Sequence, residues 1–353
     1  MTGERDVTLV IPARNAARTI GPCLDAAIAV RDRGGSRLAR ILLVDDGSTD
    51  GTLDEARTRG IETLASGGRG AGAARNVGWR QATTPLVWFV DSDCVAEPDA
   101  LERLLPHLAD PQVAGVSGTY SIDPKASLLE RLIHEEIMVR HARMPEETDF
   151  LATYDVLYRH DVLEALDGFD ERYLKGQDAE FAFRALEAGH RLRFERASKV
   201  MHFHADRLSR YLKVQRQQGY WRVALHLEHP GRGSNRYSNA LDHLQPFVAA
   251  AFMATALVAV LGSILLDRAR LGDGWLFAVW LMPVTLAAFL LVMQWPMALA
   301  MARRAGAAML WFVPLGAIRA CWRALGLVQG VIDRSIGRGP IAASALAQRR
   351  GPR

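Results

Sequence analysis

Over its first 200 residues the chain sets short apolar runs between stretches whose apolar residues recur at helical spacing. VTLVI (7–11), ILLV (41–44), IETL (61–64) and LVWFV (86–90) have the length and the branched and aromatic content of strands. AARTIGPCLDAAIAVRD, STDGTLDEARTRG and GAGAARNVGWRQAT, which lie between them, have the spacing of helices. Strand and helix in turn predict an α/β domain, with a mostly parallel sheet covered by helices on both faces. Ligands of such sheets bind beyond the carboxyl ends of the strands. Asp45 and Asp46 end the second run, and Asp91 and Asp93 end the fourth, so both acidic pairs belong to that edge. Strand alternation predicts that Asp91 and Asp93 point the same way, with Ser92 opposite.

After Pro246 the pattern changes. FVAAAFMATALVAVLGSILL (247–266) is 20 residues without a charge, enough to cross a hydrocarbon layer of about 30 Å. WLFAVWLMPVTLAAFLLVMQWPMALAMA (275–302) is a second uncharged run, with Pro283 and Pro296 expected as kinks. In the third run, 309–329, Arg319 and Arg323 share one face beside Gly316, Gly326 and Gly330, the pattern of an interfacial or re-entrant helix. Before the spans, residues 205–245 mix Arg and Lys with Leu, Tyr and Trp, as an amphipathic helix lying on headgroups does. The expected organisation is a catalytic domain over 1–204, the interfacial linker over 205–245, a membrane region over 246–331 and a basic tail over 332–353. Arg303, Arg304 and the tail lie on one side, while the loop DRARLGDG balances two arginines with two aspartates on the other. Two crossings return the chain to its starting side, so the first domain and the tail are both expected in the cytoplasm.

Composition narrows this further. Of the 353 residues 49% are apolar and 23% charged, which excludes general disorder and allows a sizeable core. The tail from Ile332 carries five arginines against one aspartate. Basic residues cluster beside the membrane runs, so nucleic acid is not an expected partner. Cys23, Cys94 and Cys321 are widely spaced and odd in number, which provides neither a disulfide framework nor a zinc-knuckle spacing. The first residues, MTGERDVTLVIPARN, lack the positive-then-apolar pattern of a signal segment.

Two like charges at a strand mouth call for a cation. Mg²⁺ and Mn²⁺ take oxygen ligands and commonly bridge one or two carboxylates to substrate phosphates. VDDGSTDGT (44–52) supplies a turn at Gly47 and capping side chains at Ser48, Thr49 and Asp50. One of its strand-end aspartates can accept from a base or ribose donor. IPARNAA (11–17) exposes backbone able to line a base. GGRGAGAARNVG (67–78) lacks the dinucleotide fingerprint, since Arg75 stands where the last glycine or alanine belongs. An arginine facing a diphosphate is the better use of it.

These motifs, followed by DSD and GFDERYLKGQDAEFAFRALEAG, come in the order of the family 2 inverting glycosyltransferases, and the chain resembles them from Val7 to about His204. The resemblance implies a Rossmann-like GT-A fold and a nucleotide-sugar donor, commonly a UDP-sugar. It implies that Pro12, Ala13, Asn15 and Asp46 serve the nucleoside, with Arg75 near the ribose or diphosphate. Asp91 and Asp93 would form the D-x-D motif that holds Mn²⁺ or Mg²⁺, Asp93 foremost. The family's base is the aspartate of an acidic pair opening a helix. Here the pair is Gln177 and Asp178, so the preceding glutamate is absent and Asp178 is kept. As local structure alone, Asp178 would cap a helix over 179–188 that ends at Gly189. In VMHFH (200–204), His202 and His204 share a strand face; family members often complete the metal site with a histidine there, and His202 is favoured.

The related processive synthases carry Q-x-x-R-W, whereas Gln217 is followed here by Tyr220 and Trp221. Transfer of a single sugar is therefore expected, onto a hydroxyl or phosphate of a lipid-linked acceptor in the bilayer, in cell-envelope glycan or glycolipid synthesis. Two other classes compete. A non-catalytic nucleotide-sugar sensor or scaffold has no need of Asp178, and a nucleotidyltransferase would want a glycine-rich signature where the chain has PARNAAR.

Overall fold

A computed structural model describes residues 6–230, 237, 239–268 and 273–338. They form two compact units, one of the residues up to Ala126 with Arg140–His204, the other of Ser127–Val139 with the residues from Ala205 on.

The first unit is built on a sheet of nine strands. β1 (Val7–Ala13), β2 (Leu38–Asp45), β3 (Glu62–Ala65) and β4 (Leu86–Val90) lie in the order β3-β2-β1-β4, all parallel. The connections carry α1 (Ile20–Asp32), α2 (Thr52–Thr58) and α3 (Ala71–Arg80). Every residue of β1 and β4 is buried. Alternation divides them between two cores: Leu9, Ile11, Trp88 and Val90 pack on one face, Val10, Val87 and Phe89 on the other. Such a strand has no polar face, which is why these runs are continuously apolar.

The other half of the sheet is mixed. β5 (Cys94–Ala96), β6 (Val113–Ser121), β7 (Glu147–Thr148), β8 (Asp155–Arg159) and β9 (Arg191–His202) follow in the chain. β8 inserts antiparallel between β4 and β6, and β9 pairs parallel with β6 but antiparallel with β5 and β7. The GT-A expectation holds, with the parallel register confined to β1–β4 and to the β6–β9 pair. Long-range pairing of this kind leaves no periodic trace in a strand's own residues. α4 (Ala100–Leu104), α5 (Leu128–His141), α6 (His160–Ala165) and α7 (Gln177–Glu187) complete the connections; all of α5 but its last two residues belongs to the second unit.

The second unit comprises that helix, α8 (Leu208–Glu228), α9 (Ala240–Arg268), α10 (Asp273–Val292), α11 (Trp295–Ala305) and α12 (Phe312–Ser335). Three stretches, Ala240–Leu265, Phe277–Ala305 and Ala307–Ser335, are long and apolar enough to cross a membrane. The run read as one span over 275–302 turns at Met293 and Gln294, and Pro296 begins a new helix there instead of kinking an old one. Proline suits that position because the first helical N–H groups have no partner to lose.

α12 lies alongside α8, in the same direction. Arg323 donates to Gln215 Oε1 at 2.7 Å, Arg216 to Gln329 Oε1 at 2.8 Å, and Arg334 stands 3.9 Å from Glu228. Gly326 packs on the backbone of Arg216 and Tyr220, where a side chain has no room. The buried Arg319 pairs with Glu136 of α5, and Arg304 with Glu135 at 3.1 Å. Opposite this seam Ile318, Trp322, Leu325, Val328, Ile332 and Ile336 are exposed at helical spacing.

Candidate active site

The carboxyl ends of β1, β2 and β4 bring three loops together. After β1, Asn15 adopts a φ of 50°, a left-handed conformation that asparagine tolerates better than most residues. Its backbone N–H donates to Ser48 Oγ at 2.9 Å, and its side-chain oxygen accepts from Thr49 N at 2.8 Å. Ala13 O accepts from Asp46 N on the β2 side, so Pro12 faces the β4 side. The β1–β4 pairing ends at Val10 and Phe89, so the missing N–H of Pro12 breaks no ladder bond.

The acidic pair after β2 divides its work. Asp45 accepts from Gly47 N and Ser48 N and makes the turn. Asp46, 3% exposed, accepts from Ser66 Oγ at 2.6 Å and Gly70 N at 2.9 Å, with Arg14 3.5 Å away. It thereby ties the glycine-rich loop before α3 to the end of β2. Ser66, which the sequence reading passed over, belongs to this tie; its place is set by the chain's return, for which its own run of residues carries no signal.

Asp91 and Asp93 do not share a strand face. β4 stops at Val90, and Cys94 N donates to Asp91 O at 2.9 Å, closing a tight turn before β5. Alternation ends with the strand, and the two carboxylates go to different partners. Asp91 accepts from Arg75 Nη2 at 2.6 Å. Asp93 Oδ1 stands 3.5 Å from His202 Nε2, because antiparallel pairing of β5 with β9 sets Cys94 opposite His202. Burial pushes the Asp91 carboxyl up; Arg75 pulls it back and Asp93 raises it again.

Asp93, Cys94 and His202 each offer a donor atom within 4.8 Å of the others. Burial holds the Cys94 thiol well above its ordinary range. The carboxylate oxygen of Asp93 and the imidazole nitrogen of His202 suit Mn²⁺, and with Asp91 beside them also Mg²⁺. His204 lies just past the end of β9, its Nδ1 2.8 Å from His202 Nδ1. Tyr120 stacks on Tyr154 at 3.8 Å and reaches His202 at 4.9 Å between ring centroids. Neither tyrosine stood out in the sequence, where each reads as one more aromatic at the end of an apolar segment.

Arg75 occupies the middle of α3 with 3% of its side chain exposed. One nitrogen is spent on Asp91, while Nε and Nη1 are buried with no hydrogen-bond partner among the described residues. A half-satisfied buried guanidinium is costly unless an anion completes it.

α7 begins differently from the expected cap. Gly176, at φ 86°, holds the cap position and the helix starts at Gln177, one residue before Asp178. Glycine takes that left-handed conformation without penalty. Asp178 is therefore a first-turn residue; its Oδ1 accepts from Ala179 N at 2.9 Å. Burial raises its carboxyl, with Ala179 N–H and Arg75 opposing and Asp91 adding to the rise. Glu180, 4% exposed, holds Arg184, which reaches the carbonyls of Leu166 and Gly168 and pins the helix. Gln177 is buried, and its Oε1 has no partner among the described residues.

Residues 8–165 match the model of glycosyl transferase family 2, and the segment is a family 2 glycosyltransferase domain, followed by apolar C-terminal helices. A pre-mycofactocin glycosyltransferase of Mycobacterium tuberculosis is 29% identical over 245 residues, 65% of this chain and 49% of that protein. The O-antigen chain rhamnosyltransferase RfbN of Salmonella typhimurium is 24% identical over 212 residues, 56% of this chain and 66% of its own. The chain thus spans about half the length of the mycobacterial relative. Among solved structures, a mannosyltransferase of Pyrobaculum calidifontis in complex with GDP-Man and Mn²⁺ superposes with a TM-score of 0.59. It is 19% identical, and the match covers 94% of this chain and 89% of that one. The fold is GT-A.

Proposed function

We propose that the chain is a membrane-bound inverting glycosyltransferase of the hexosyltransferase type. It moves one sugar from a nucleotide-sugar, of the UDP class, to a hydroxyl or phosphate of a lipid-linked acceptor in envelope glycan or glycolipid synthesis. The observation that carries this is Arg75, whose two unpartnered buried nitrogens lie beside the Asp91–Asp93 turn. A nucleoside diphosphate supplies the oxygens those donors lack. Pro12, Ala13, Asn15 and Asp46, on the loops after β1 and β2, would serve the nucleoside.

Asp93 and His202 would hold Mn²⁺ or Mg²⁺, with Asp91 beside them. When bound, the ion neutralises the diphosphate leaving group. Asp91 fixes the Arg75 guanidinium, which shares in that neutralisation. Asp178 accepts the proton of the acceptor hydroxyl as it attacks the anomeric carbon from the face opposite the diphosphate, so the configuration inverts. The electron pair of the broken C–O bond leaves with the diphosphate.

In the membrane, we read α9 and α10 as the two crossings. Trp275, in the first turn of α10, and Trp295, just past its end, are both exposed, as interfacial anchors are, and the helix between them is about 30 Å long at 1.5 Å per residue. α12 meets the requirements of length and composition for a third, but it runs beside α8, whose Arg210, Lys213 and Arg216 are exposed. Each such charge costs about 2.5–3.5 kcal/mol at a bilayer centre. We therefore place the α8–α12 pair in the interface, basic edge to the headgroups and the Ile318–Ile336 stripe to the acyl chains. Both ends of the chain then lie on the cytoplasmic side; the tail over 339–353 lies outside the described residues.

The test is full-length protein in detergent with a bacterial lipid extract and a panel of nucleotide sugars, with Mn²⁺ or Mg²⁺ against EDTA. The expected product is a lipid heavier by one sugar residue, seen by mass spectrometry. Asp178→Asn should lower turnover by about 100-fold or more while donor binding persists. Donor binding without any transfer would return the sensor reading, and normal turnover in Asp178→Asn would remove the base.

A further inference from the structure

His202 and His204 are not alternatives for the same task. β9 ends at His202, and His204 N turns back to His202 O at 3.1 Å. The two rings meet nearly at right angles, 78° between planes, with Nδ1 facing Nδ1 at 2.8 Å. That is hydrogen-bond length, and one nitrogen has to bring the proton and the other the lone pair. His202 Nε2, at the other side of the ring, stands 3.5 Å from Asp93 Oδ1, outside ordinary hydrogen-bond length.

With both rings neutral, two arrangements satisfy the pair. If His204 donates, His202 carries its proton on Nε2 and has no lone pair to offer there. If His202 donates, its Nε2 lone pair faces the Asp93 carboxylate, which is unfavourable unless a cation stands between them. The second arrangement is therefore the one in which His202 can ligate an ion together with Asp93. A ligating imidazole is held in the right tautomer by the partner of its other nitrogen. His204 is 2% exposed, and its ring lies edge-on to Tyr120 at 5.8 Å between centroids.

We infer that His204 is a positioning residue. It accepts the Nδ1 proton of His202 and so keeps the Nε2 lone pair directed at the divalent ion shared with Asp93. This rests on the metal site proposed above. No bond is made or broken by His204; it selects one of two neutral tautomers of its neighbour.

The experiment is Mn²⁺ titration of the full-length protein in detergent without nucleotide, followed by the electron-paramagnetic-resonance signal of free Mn²⁺. His204→Leu removes the acceptor, whereas His204→Asn keeps a carbonyl oxygen near the position of Nδ1. The expected result is a 10- to 100-fold weaker Mn²⁺ affinity in His204→Leu and less than a threefold change in His204→Asn. The melting temperature in EDTA should be the same for both variants, which separates the effect from general loosening. Echo-envelope modulation of bound Mn²⁺ should show imidazole nitrogen in the wild type and lose it in His202→Ala. Wild-type affinity in His204→Leu, or an equal loss in His204→Asn, would overturn the positioning role while leaving the metal site standing. Mn²⁺ binding that survives both Asp93→Ala and His202→Ala, or no binding by the wild type, would remove the site itself and the inference with it.

Discussion

At the scale of single residues, Arg75 and Asp155 show how burial makes a side chain informative. Arg75→Ala removes the anion partner and leaves Asp91 without its cation; donor affinity should fall by about 10- to 100-fold, the worth of one charged hydrogen bond. Nucleotide-sugar binding by calorimetry checks this. Asp155 lies in β8 with no exposure, accepting from Trp88 Nε1 and Ser198 Oγ, each at 2.8 Å. Burial pushes its carboxyl up to about 6, against the pull of those two bonds. Between an unfolded value near 4 and that folded value, the native chain holds more protons than the unfolded one. Its contribution therefore falls as pH rises through that window and is level above it. Asp155→Asn should abolish the slope, about 3 kcal/mol in all, and raise the melting temperature at pH 7 more than at pH 4.5. Arg75, Asp91, Asp93 and Asp178 could be picked out in the sequence because their motifs are local. The routing of Asp91 to Arg75 could not, since it depends on where β4 stops; His202 was favoured beside Asp93 only through the family resemblance, and its approach is set by the β5–β9 register.

At the scale of elements, periodicity served the parallel half of the sheet well. β1 through β4 lie within two or three residues of the apolar runs; β1 and β4 are apolar throughout because both faces are buried, whereas β3 is mostly exposed. The antiparallel insertion of β8 and the mixed pairing of β9, by contrast, leave no signal in the sequence, since neither direction nor neighbour is written in a single strand. The start of α7 turned on one glycine whose left-handed conformation moved the cap by two residues. Among the helices of the second unit, the α8–α12 seam is the most specific feature. Gly326→Leu would set a side chain against the backbone of Arg216 and Tyr220. The pair should separate, and the protein in detergent should melt several degrees lower and yield to protease within α8 or α12, while Gly274→Ala, at an exposed site, should leave both unchanged.

At the scale of the whole molecule, the topology is open to direct measurement. In right-side-out cells bearing a background variant without native cysteines, Gly274→Cys should react with a membrane-impermeant maleimide. Arg207→Cys and Ser335→Cys should react only after the membrane is breached. Labelling of Ser335→Cys from outside would make α12 a third crossing. The chain also visits the second unit twice, once over Ser127–Val139 and again from Ala205 onward. In that excursion Leu132, Ile133 and Val139 are buried against residues of the same unit, among them Tyr211, Met301 and Phe312. A chain cut after His204 therefore retains a helix with its apolar side stripped of cover, and removing the membrane helices alone should yield aggregate. A water-soluble catalytic fragment needs those three side chains made polar as well, a surface repair that a map of the hydrophobic C-terminal runs would never suggest.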